Sequence, residues 1–330
     1  MHQASPDRYS CGMNYKRCGN SGVLLPRVSL GLWHNFGTTT PFERSRQILL
    51  SAFDHGITHF DLANNYGPEP GFAERRFGEI LHSDLREHRD ELFISTKAAY
   101  DMWEGPYGSW ASRKHLMASL DQSLMRMKVD YVDLFYCHRF DPETPLEETL
   151  QALVDIVRSG KALYIGISRW PLDALHIAYE YLAEQHSPML IIQDRLNLLS
   201  RAPLEQGILD YANETGTGFI AFSPLAQGLL SDRYLNGIPQ GSRMCEERFL
   251  HSSSLTPALL RQLRELNDVA LRRGQTLAQM ALTWVLQQPG TTSVIIGAST
   301  TEQLVQNLRA QDAAALSPDE LALVERVLQG

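Results

Sequence analysis

The chain has 330 residues, a formal net charge of −8 and 43% hydrophobic residues, with ordinary numbers of glycine and proline. This composition is typical of a globular protein and excludes a disordered chain. The acidic balance excludes nucleic acid as the main partner, although it allows a local basic pocket for an anionic cofactor.

Export and membrane insertion are not expected from this sequence. The first eight residues, MHQASPDR, lack the apolar core of a signal peptide. No apolar run approaches the roughly 20 residues of a membrane span. The four cysteines, at positions 11, 18, 137 and 245, form neither a CxxC pair nor a metal-ligand spacing. We therefore expect a cytoplasmic protein with reduced thiols, no metal and no membrane partner.

The first predicted element is a small β-hairpin within residues 12–26. Segments 15–18 and 23–25 flank the sequence GNSG, which favours a tight reversal of the chain. Short apolar runs and amphipathic stretches then alternate. The runs predict strands at 28–32, 58–60, 92–95, 132–136, 162–167, 190–193, 218–222 and 292–295. The amphipathic stretches predict helices at 43–55, 73–81, 113–127, 145–159, 172–184, 204–214, 257–273 and 301–308.

Eight strand–helix units predict an α/β fold, a (β/α)₈ TIM barrel that spans residues 1–330 as a single domain. The strands are rich in Val, Ile, Leu and Phe and do not alternate with polar residues, as is typical of strands buried on both faces. A doubly wound sheet is the alternative, but the glycines do not form its early GxGxxG turn. A long loop is expected at 224–257 after strand seven, and extra helices near the C-terminus at 277–288 and 317–328.

The polar residues that follow the strands are the candidate site, because chemistry in such barrels takes place at the C-terminal ends of the strands. Strand two is followed by Asp61 and Tyr66, strand three by Lys97 and strand four by His138. An ammonium group beside a phenol favours the phenolate, so Lys97, paired with Asp61, is expected to lower the Tyr66 pKa. His138 can hydrogen-bond an acceptor oxygen nearby. Together the four residues predict a unit that protonates an oxygen as negative charge builds on it.

Each of these residues also has an ordinary structural interpretation. Lys97 can be a salt-bridged surface residue, His138 a histidine of the barrel rim and Asp61 a helix cap. Their positions on three consecutive strands favour a shared catalytic site over three coincidences. The chain has no GxSxG, Walker or HExxH motif, and its histidines lack metal-ligand spacing.

Six sequence blocks, in chain order, resemble the aldo-keto reductase superfamily along nearly the whole chain. They are GITHFDLANNYG (56–67), ISTK (94–97), DYVDLFYCH (130–138), GIS (166–168), AFSPL (221–225) and IGAS (296–299). The resemblance implies an NAD(P)H-dependent carbonyl reductase whose catalytic tetrad is Asp61, Tyr66, Lys97 and His138. Segments 30–37, 100–103, 168–170 and 228–234 are similar to the branch that holds the bacterial L-glyceraldehyde 3-phosphate reductases and the potassium-channel β-subunits.

The resemblance further implies a binding site for NADPH, with NADH possible. Ser168 and Gln193 match contacts to the nicotinamide carboxamide, and Phe222 matches the aromatic residue stacked on the ring. The other residues implied for the cofactor are Trp33, Asp61, Ser223, Leu225, Gly228, Arg233, Arg243, Ser299, Gln303 and Asn307. Two departures weaken the preference for NADP. Thr300 stands where relatives often place a cation against the 2′-phosphate, and Gln306 replaces a glutamate near adenine.

The substrate is expected to be a small aldehyde or ketone, such as L-glyceraldehyde 3-phosphate or methylglyoxal. The residues expected to form its pocket are Trp33, His34, Tyr66, Trp103, Tyr107, Tyr136 and His138. Arg139 and Arg169 can receive a phosphate or form surface salt bridges. A homo-oligomer, a tetramer or larger, is implied by the resemblance. Two alternatives stay open, a cofactor-sensing regulatory subunit with slow turnover and a lyase that forms a Schiff base on Lys97.

Overall fold

The computed structural model describes residues 2–10, 12–67, 69–240, 242–246 and 250–329, without the side chains of Arg243 and Glu246. Its strands, in chain order, are β1 Tyr15–Arg17, β2 Leu24–Pro26, β3 Val28–Gly31, β4 His59–Asp61, β5 Phe93–Ala98, β6 Val132–Cys137, β7 Ala162–Ser168, β8 Met189–Arg195, β9 Gly218–Phe222 and β10 Thr291–Ile296. Its α-helices are α1 Phe42–Asp54, α2 Phe72–Ile80, α3 Arg113–Met127, α4 Leu146–Arg158, α5 Leu172–Glu184, α6 Ala202–Glu205, α7 Ile208–Thr215, α8 Arg243–Glu246, α9 Pro257–Arg272, α10 Leu277–Leu286, α11 Thr301–Leu308 and α12 Pro318–Gln329.

Strands β3 to β10 form a closed parallel barrel in which consecutive strands pair and β10 closes on β3. The predicted (β/α)₈ barrel is therefore confirmed, and α10 and α12 are the expected extra helices. Strands β1 and β2 pair antiparallel as the predicted N-terminal hairpin. Cys18 and Leu25 of the hairpin pack with Leu134 and Ile191 of the barrel interior. The hairpin thus covers the N-terminal end of the barrel, opposite the C-terminal strand ends.

Side chains alternate between the inside of the barrel and the helix layer, as the pleat of a strand requires. On β5, Ser95 and Lys97 point inward and hydrogen-bond Asp61 of β4. Ile94 and Thr96 point outward, where Ile94 joins the core beneath the helices and Thr96 donates to Glu74 of α2. The interior therefore carries polar groups on β4 and β5, although the strand sequences look apolar.

Three details differ from the predicted elements. Asp61 and Lys97 lie inside β4 and β5 rather than after them, because each strand extends farther along the barrel than its apolar run. The predicted helix at 204–214 is wrong, since α6 and α7 are separate. Gly207 between them has φ +75°, a left-handed conformation that interrupts a helix. The segment from 224 to 257 contains short 3-10 turns and α8.

None of the helices in the described ranges is long and apolar enough to cross a lipid bilayer.

Candidate active site

Asp61, Tyr66, Lys97 and His138 lie together at the C-terminal end of the barrel. The Lys97 Nζ atom lies 2.6 Å from Asp61 Oδ2 and 3.4 Å from the Tyr66 hydroxyl oxygen. The rings of Tyr66 and His138 stand edge to face, with 5.9 Å between their centroids. The structure thus brings one carboxylate, one ammonium, one phenol and one imidazole into a single cluster.

The Lys97 ammonium is fully buried, and its donors are directed at three acceptors. Nζ donates to Asp61 Oδ2, to the Leu62 carbonyl at 2.6 Å and, more weakly, to the Tyr66 oxygen. Burial lowers the Lys97 pKa, while the negative charges of Asp61 and Glu74 oppose that change. An unpaired charge at this depth would be strongly disfavoured, so the carboxylate of Asp61 is what keeps the ammonium charged.

Asp61 is held by donors other than Lys97 as well. Its Oδ1 atom accepts from the Ser95 hydroxyl at 2.8 Å and from the Gln193 side-chain amide at 3.2 Å. Hydrogen bonds to a carboxylate favour its ionised form. The Asp61–Lys97 pair is therefore supported on both carboxylate oxygens.

The expected lowering of the Tyr66 pKa is wrong for the site as it stands. Burial raises the Tyr66 pKa well above its usual value, and the charge of Asp61 raises it further. The positive charge of Arg169 opposes this only in part. The phenol consequently keeps its proton at neutral pH and is a donor that releases the proton only when negative charge develops beside it.

His138 is buried and neutral. Burial lowers the His138 pKa well below its usual value, and the cations Lys97, Arg169 and Arg139 lower it further. Its Nδ1 atom has no hydrogen-bond partner among the residues that the structure describes. A neutral imidazole has one N–H group, which can donate to an acceptor oxygen placed between His138 and Tyr66.

A cavity of about 540 Å³ extends from Asp61 and Tyr66 toward β9, β10 and α11. The residues implied for the cofactor that line it are Trp33, Asp61, Phe222, Ser223, Leu225, Gly228, Arg233, Ser299 and Gln303. His34 lines it as well, packed against Trp33 with 4.0 Å between ring centroids. Ser168, Gln193 and Asn307 are buried without being part of this lining. The side chain of Arg243 lies outside the described residues.

Two buried polar atoms fit a nicotinamide dinucleotide at its two ends. Ser168 Oγ, at the end of β7, and Asn307 Nδ2, on α11, are buried and lack hydrogen-bond partners in the part of the chain that the structure describes. Buried polar groups without partners are rare in folded proteins unless a ligand or water satisfies them. The hydroxyl and the amide match the polar groups that a carboxamide and an adenosine present.

The loop after β9 has a strained backbone. The backbone φ angles of Ser223, Ala226 and Gln227 are +51°, +47° and +59°. Residues other than glycine rarely adopt such positive values. Asn197 holds this loop by donating from its side chain to the Ser223 carbonyl at 2.9 Å. Such strained turns often surround ligands, where successive backbone N–H groups can face an anion.

The N-terminus of α11 provides positive potential at the far end of the cavity. Thr300 caps this helix by accepting from the Gln303 N–H. Ser299 and Gln303 bond each other and line the cavity together with Arg233. Helix N-termini and guanidinium groups favour phosphate, so the cavity suits the phosphates of a dinucleotide.

The expected substrate residues do not all lie beside the cluster. The Trp103 ring packs on His115 with 4.8 Å between centroids, and Tyr107 is 55% exposed. Tyr136 is fully buried inside the barrel, where Lys97 Nζ is 5.5 Å from its ring centre. The residue of the β5–α3 loop that contacts His138 is Tyr100, whose ring stands edge to face at 4.7 Å.

Tyr100 and Arg44 are site residues that the sequence analysis missed. Arg169 donates to the Tyr100 hydroxyl at 2.7 Å, and the Arg139 guanidinium lies 4.4 Å from the Tyr100 ring centre. Arg44, on α1, lines the same cavity as Thr300. Only the quoted similarity around residue 100 pointed to the first, and no sequence signal distinguishes Arg44 from other exposed arginines.

No group of three or more His, Cys, Asp or Glu side chains within the described ranges could hold a metal ion.

Comparisons with known proteins agree with this geometry. The model of the Aldo/keto reductase family matches residues 27–329. An L-glyceraldehyde 3-phosphate reductase of Escherichia coli (strain K12) is 55% identical over 327 residues, 98% of this chain and 94% of the relative. Probable voltage-gated potassium channel subunits beta of Oryza sativa subsp. japonica and Arabidopsis thaliana are each 35% identical, covering 96% of this chain and 97% of the relative. The chain therefore belongs to the aldo/keto reductase family, as its six sequence blocks predicted.

Proposed function

We propose that this protein is an NADPH-dependent aldehyde reductase in which Tyr66 is the proton donor. Membership of the family makes it an oxidoreductase for carbonyl compounds. The observation that carries the proposal is the placement of Lys97 Nζ between Asp61 and the hydroxyl of Tyr66. Cytoplasmic location and assembly into a homo-oligomer, a tetramer or larger, are part of the same proposal.

The chemistry assigns one task to each of the four residues. The bound nicotinamide supplies a hydride to the carbonyl carbon. Tyr66 gives its proton to the carbonyl oxygen, so that the product is an alcohol. His138 donates its N–H to the same oxygen and orients it. Lys97, kept charged by Asp61, donates to the Tyr66 oxygen and stabilises the negative charge that the departing proton leaves there.

Tyr66→Phe tests this assignment. The variant keeps the ring but has no proton to give, so we expect kcat for aldehyde reduction to fall by about 100-fold or more. Binding of NADPH, followed by quenching of protein fluorescence, should persist. Turnover near the wild-type value would refute the mechanism. Negligible turnover of the wild type itself, with intact cofactor binding, would favour the cofactor-sensing regulatory subunit instead.

The Schiff-base lyase is disfavoured by the contacts of Lys97. A Schiff base requires a neutral amine with a free lone pair. The Lys97 nitrogen donates to Asp61 Oδ2 and to the Leu62 carbonyl, both at 2.6 Å. These contacts are typical of a charged ammonium group that donates to several acceptors, rather than of a neutral amine with a free lone pair.

A phosphorylated three-carbon aldehyde is the substrate that we propose. The Arg169 guanidinium lies within electrostatic reach of Tyr66 and His138 and is oriented by Tyr100. A guanidinium beside the carbonyl site can bind the phosphate of such an aldehyde through paired hydrogen bonds. The relative from Escherichia coli is named for glyceraldehyde 3-phosphate. Methylglyoxal has no phosphate and would not use this contact.

Arg169→Ala should affect KM for a phosphorylated substrate more than KM for a substrate without phosphate. We expect KM for glyceraldehyde 3-phosphate to rise roughly tenfold, because a charge-assisted hydrogen bond is lost. The matched control is glyceraldehyde without phosphate, whose KM should change by less than about twofold. Equal changes for both substrates would contradict a role for Arg169 in binding the phosphate.

NADP preference is assigned to Arg44. Thr300 has no charge, so it cannot form an ion pair with a 2′-phosphate, and its hydroxyl already accepts from Gln303 N–H as the cap of α11. Arg44 is exposed and lines the cavity together with Thr300 and Gln303. A cation at this end would favour the cofactor with the additional phosphate.

Arg44→Ala should raise KM for NADPH roughly tenfold and leave KM for NADH nearly unchanged. Arg233→Ala provides the matched control. Arg233 lines the same cavity, and if it contacts the phosphates that both cofactors share, both KM values should rise alike. If Arg44→Ala weakened NADPH and NADH equally, the assignment of Arg44 to the 2′-phosphate would be wrong.

A further inference from the structure

A chain of hydrogen bonds crosses the interior of the barrel and ends at Asp61. The Ser293 and Ser29 hydroxyls lie 2.7 Å apart, and Ser29 Oγ lies 2.8 Å from His59 Nδ1. His59 Nε2 lies 3.0 Å from Ser95 Oγ, which in turn donates to Asp61 Oδ1 at 2.8 Å. We call Ser293, Ser29, His59 and Ser95 the serine–histidine chain. It joins β10, β3, β4 and β5 across the closure of the barrel.

The surroundings make this chain unusual. Its four side chains are fully buried. Beside it the barrel interior holds a hydrophobic cluster that includes Leu134, Leu190, Ile191, Ile220 and Ile295. Buried polar groups are costly unless each finds a partner, and apolar side chains would fill the space without that constraint. A polar chain that ends on a charged residue of the site therefore indicates a role in that site.

The carboxylate determines the direction of every bond in the chain. Ionised Asp61 can only accept hydrogen bonds, so the single hydroxyl proton of Ser95 points toward it. Ser95 then has to accept from His59, which places the imidazole proton on Nε2. His59 Nδ1 is left with a lone pair, and it accepts from Ser29. Ser29 in turn accepts from Ser293, so all the donors point toward Asp61.

His59 has one proton under physiological conditions. Burial lowers the His59 pKa to about 4, opposed by the negative charge of Asp61 and assisted by the positive charge of Lys97. The ring is therefore neutral, and only its tautomer decides whether Nε2 donates to Ser95 or accepts from it. In the opposite tautomer Ser95 would donate to His59, and Asp61 Oδ1 would face an oxygen lone pair 2.8 Å away.

We infer that His59 is a positioning residue for the catalytic ion pair. In its Nε2–H tautomer it holds the Ser95 hydroxyl as a donor to Asp61 Oδ1, the carboxylate oxygen that does not accept from Lys97. Without it, Oδ1 keeps only the longer hydrogen bond from Gln193, and the carboxylate is held less firmly opposite the ammonium that supports Tyr66. The inference rests on the proposed functions of Asp61, Lys97 and Tyr66.

The tautomer is tested directly by ¹⁵N NMR of the full-length protein labelled at histidine, since protonated and unprotonated ring nitrogens have distinct chemical shifts. The signals of His59 are assigned by their loss in His59→Gln. We expect a neutral ring with the proton on Nε2 at pH 7. A proton on Nδ1, or a charged ring, would overturn the inference. This readout requires no turnover, so it separates the inference from the proposed function.

Kinetics of three variants test the consequence. His59→Leu removes the donor to Ser95 and should lower kcat roughly tenfold with little change in KM, since the Ser95 hydroxyl is no longer held toward Asp61. His59→Gln can donate from its amide nitrogen and accept at its oxygen, and should keep kcat within about threefold of the wild type. Thr217→Val is the matched control. It removes a buried hydroxyl outside the serine–histidine chain, just before β9 and away from the site, and should change kcat by less than about twofold.

A double-mutant cycle shows whether His59 acts through Ser95. Ser95→Ala removes the bond to Asp61 itself, so adding His59→Leu should lower kcat no further. Fully additive losses, or a loss in Thr217→Val equal to that in His59→Leu, would mean that His59 only packs the barrel. Either result would overturn the positioning function, even if the reductase activity of the wild type were established.

Discussion

The buried ion pair between Asp61 and Lys97 is the interaction on which the site depends. A fully buried ammonium is disfavoured by desolvation, and it is retained here because a carboxylate oxygen lies 2.6 Å away. The register pairs Asp61 of β4 with Ser95 of β5, so Lys97, two residues farther along β5, lies on the same inner face of the barrel as the carboxylate. Since Lys97 also reaches the Tyr66 oxygen, the charge of the pair acts on the group that is proposed to donate the proton.

The surrounding structure keeps the other groups neutral. Burial holds the phenol of Tyr66 protonated and His138 uncharged, so both can donate a hydrogen bond to one oxygen. The barrel interior carries polar side chains on β3, β4, β5, β8 and β10 beside a hydrophobic cluster, and the N-terminal hairpin covers the end opposite the site. The cavity beside Tyr66 is lined by residues of the strained loop after β9 and of the N-terminus of α11. The site therefore combines one buried charged pair with neutral donors beside a cavity suited to phosphates.

Sequence reasoning predicted the barrel because eight apolar runs alternate with amphipathic helices, and it reached the tetrad because Asp61, Lys97 and His138 end consecutive runs. It missed what depends on burial and on contacts between distant segments. The Tyr66 pKa follows from desolvation, which no local pattern reports. The contacts of Tyr100 with Arg169 and of Ser29 with Ser293 join residues 69 and 264 positions apart. The break at Gly207 depended on one left-handed residue inside an otherwise helical pattern.

The most direct test of the central claim is the pH dependence of kcat for aldehyde reduction in the wild type and in Asp61→Asn. Asp61 raises the Lys97 pKa against the effect of burial, so its removal should let Lys97 lose its proton at lower pH. Activity requires the ammonium and is lost as pH rises through the Lys97 pKa. The account therefore predicts that the alkaline fall in kcat moves to lower pH in Asp61→Asn. An alkaline fall at the same pH in both proteins would contradict the account.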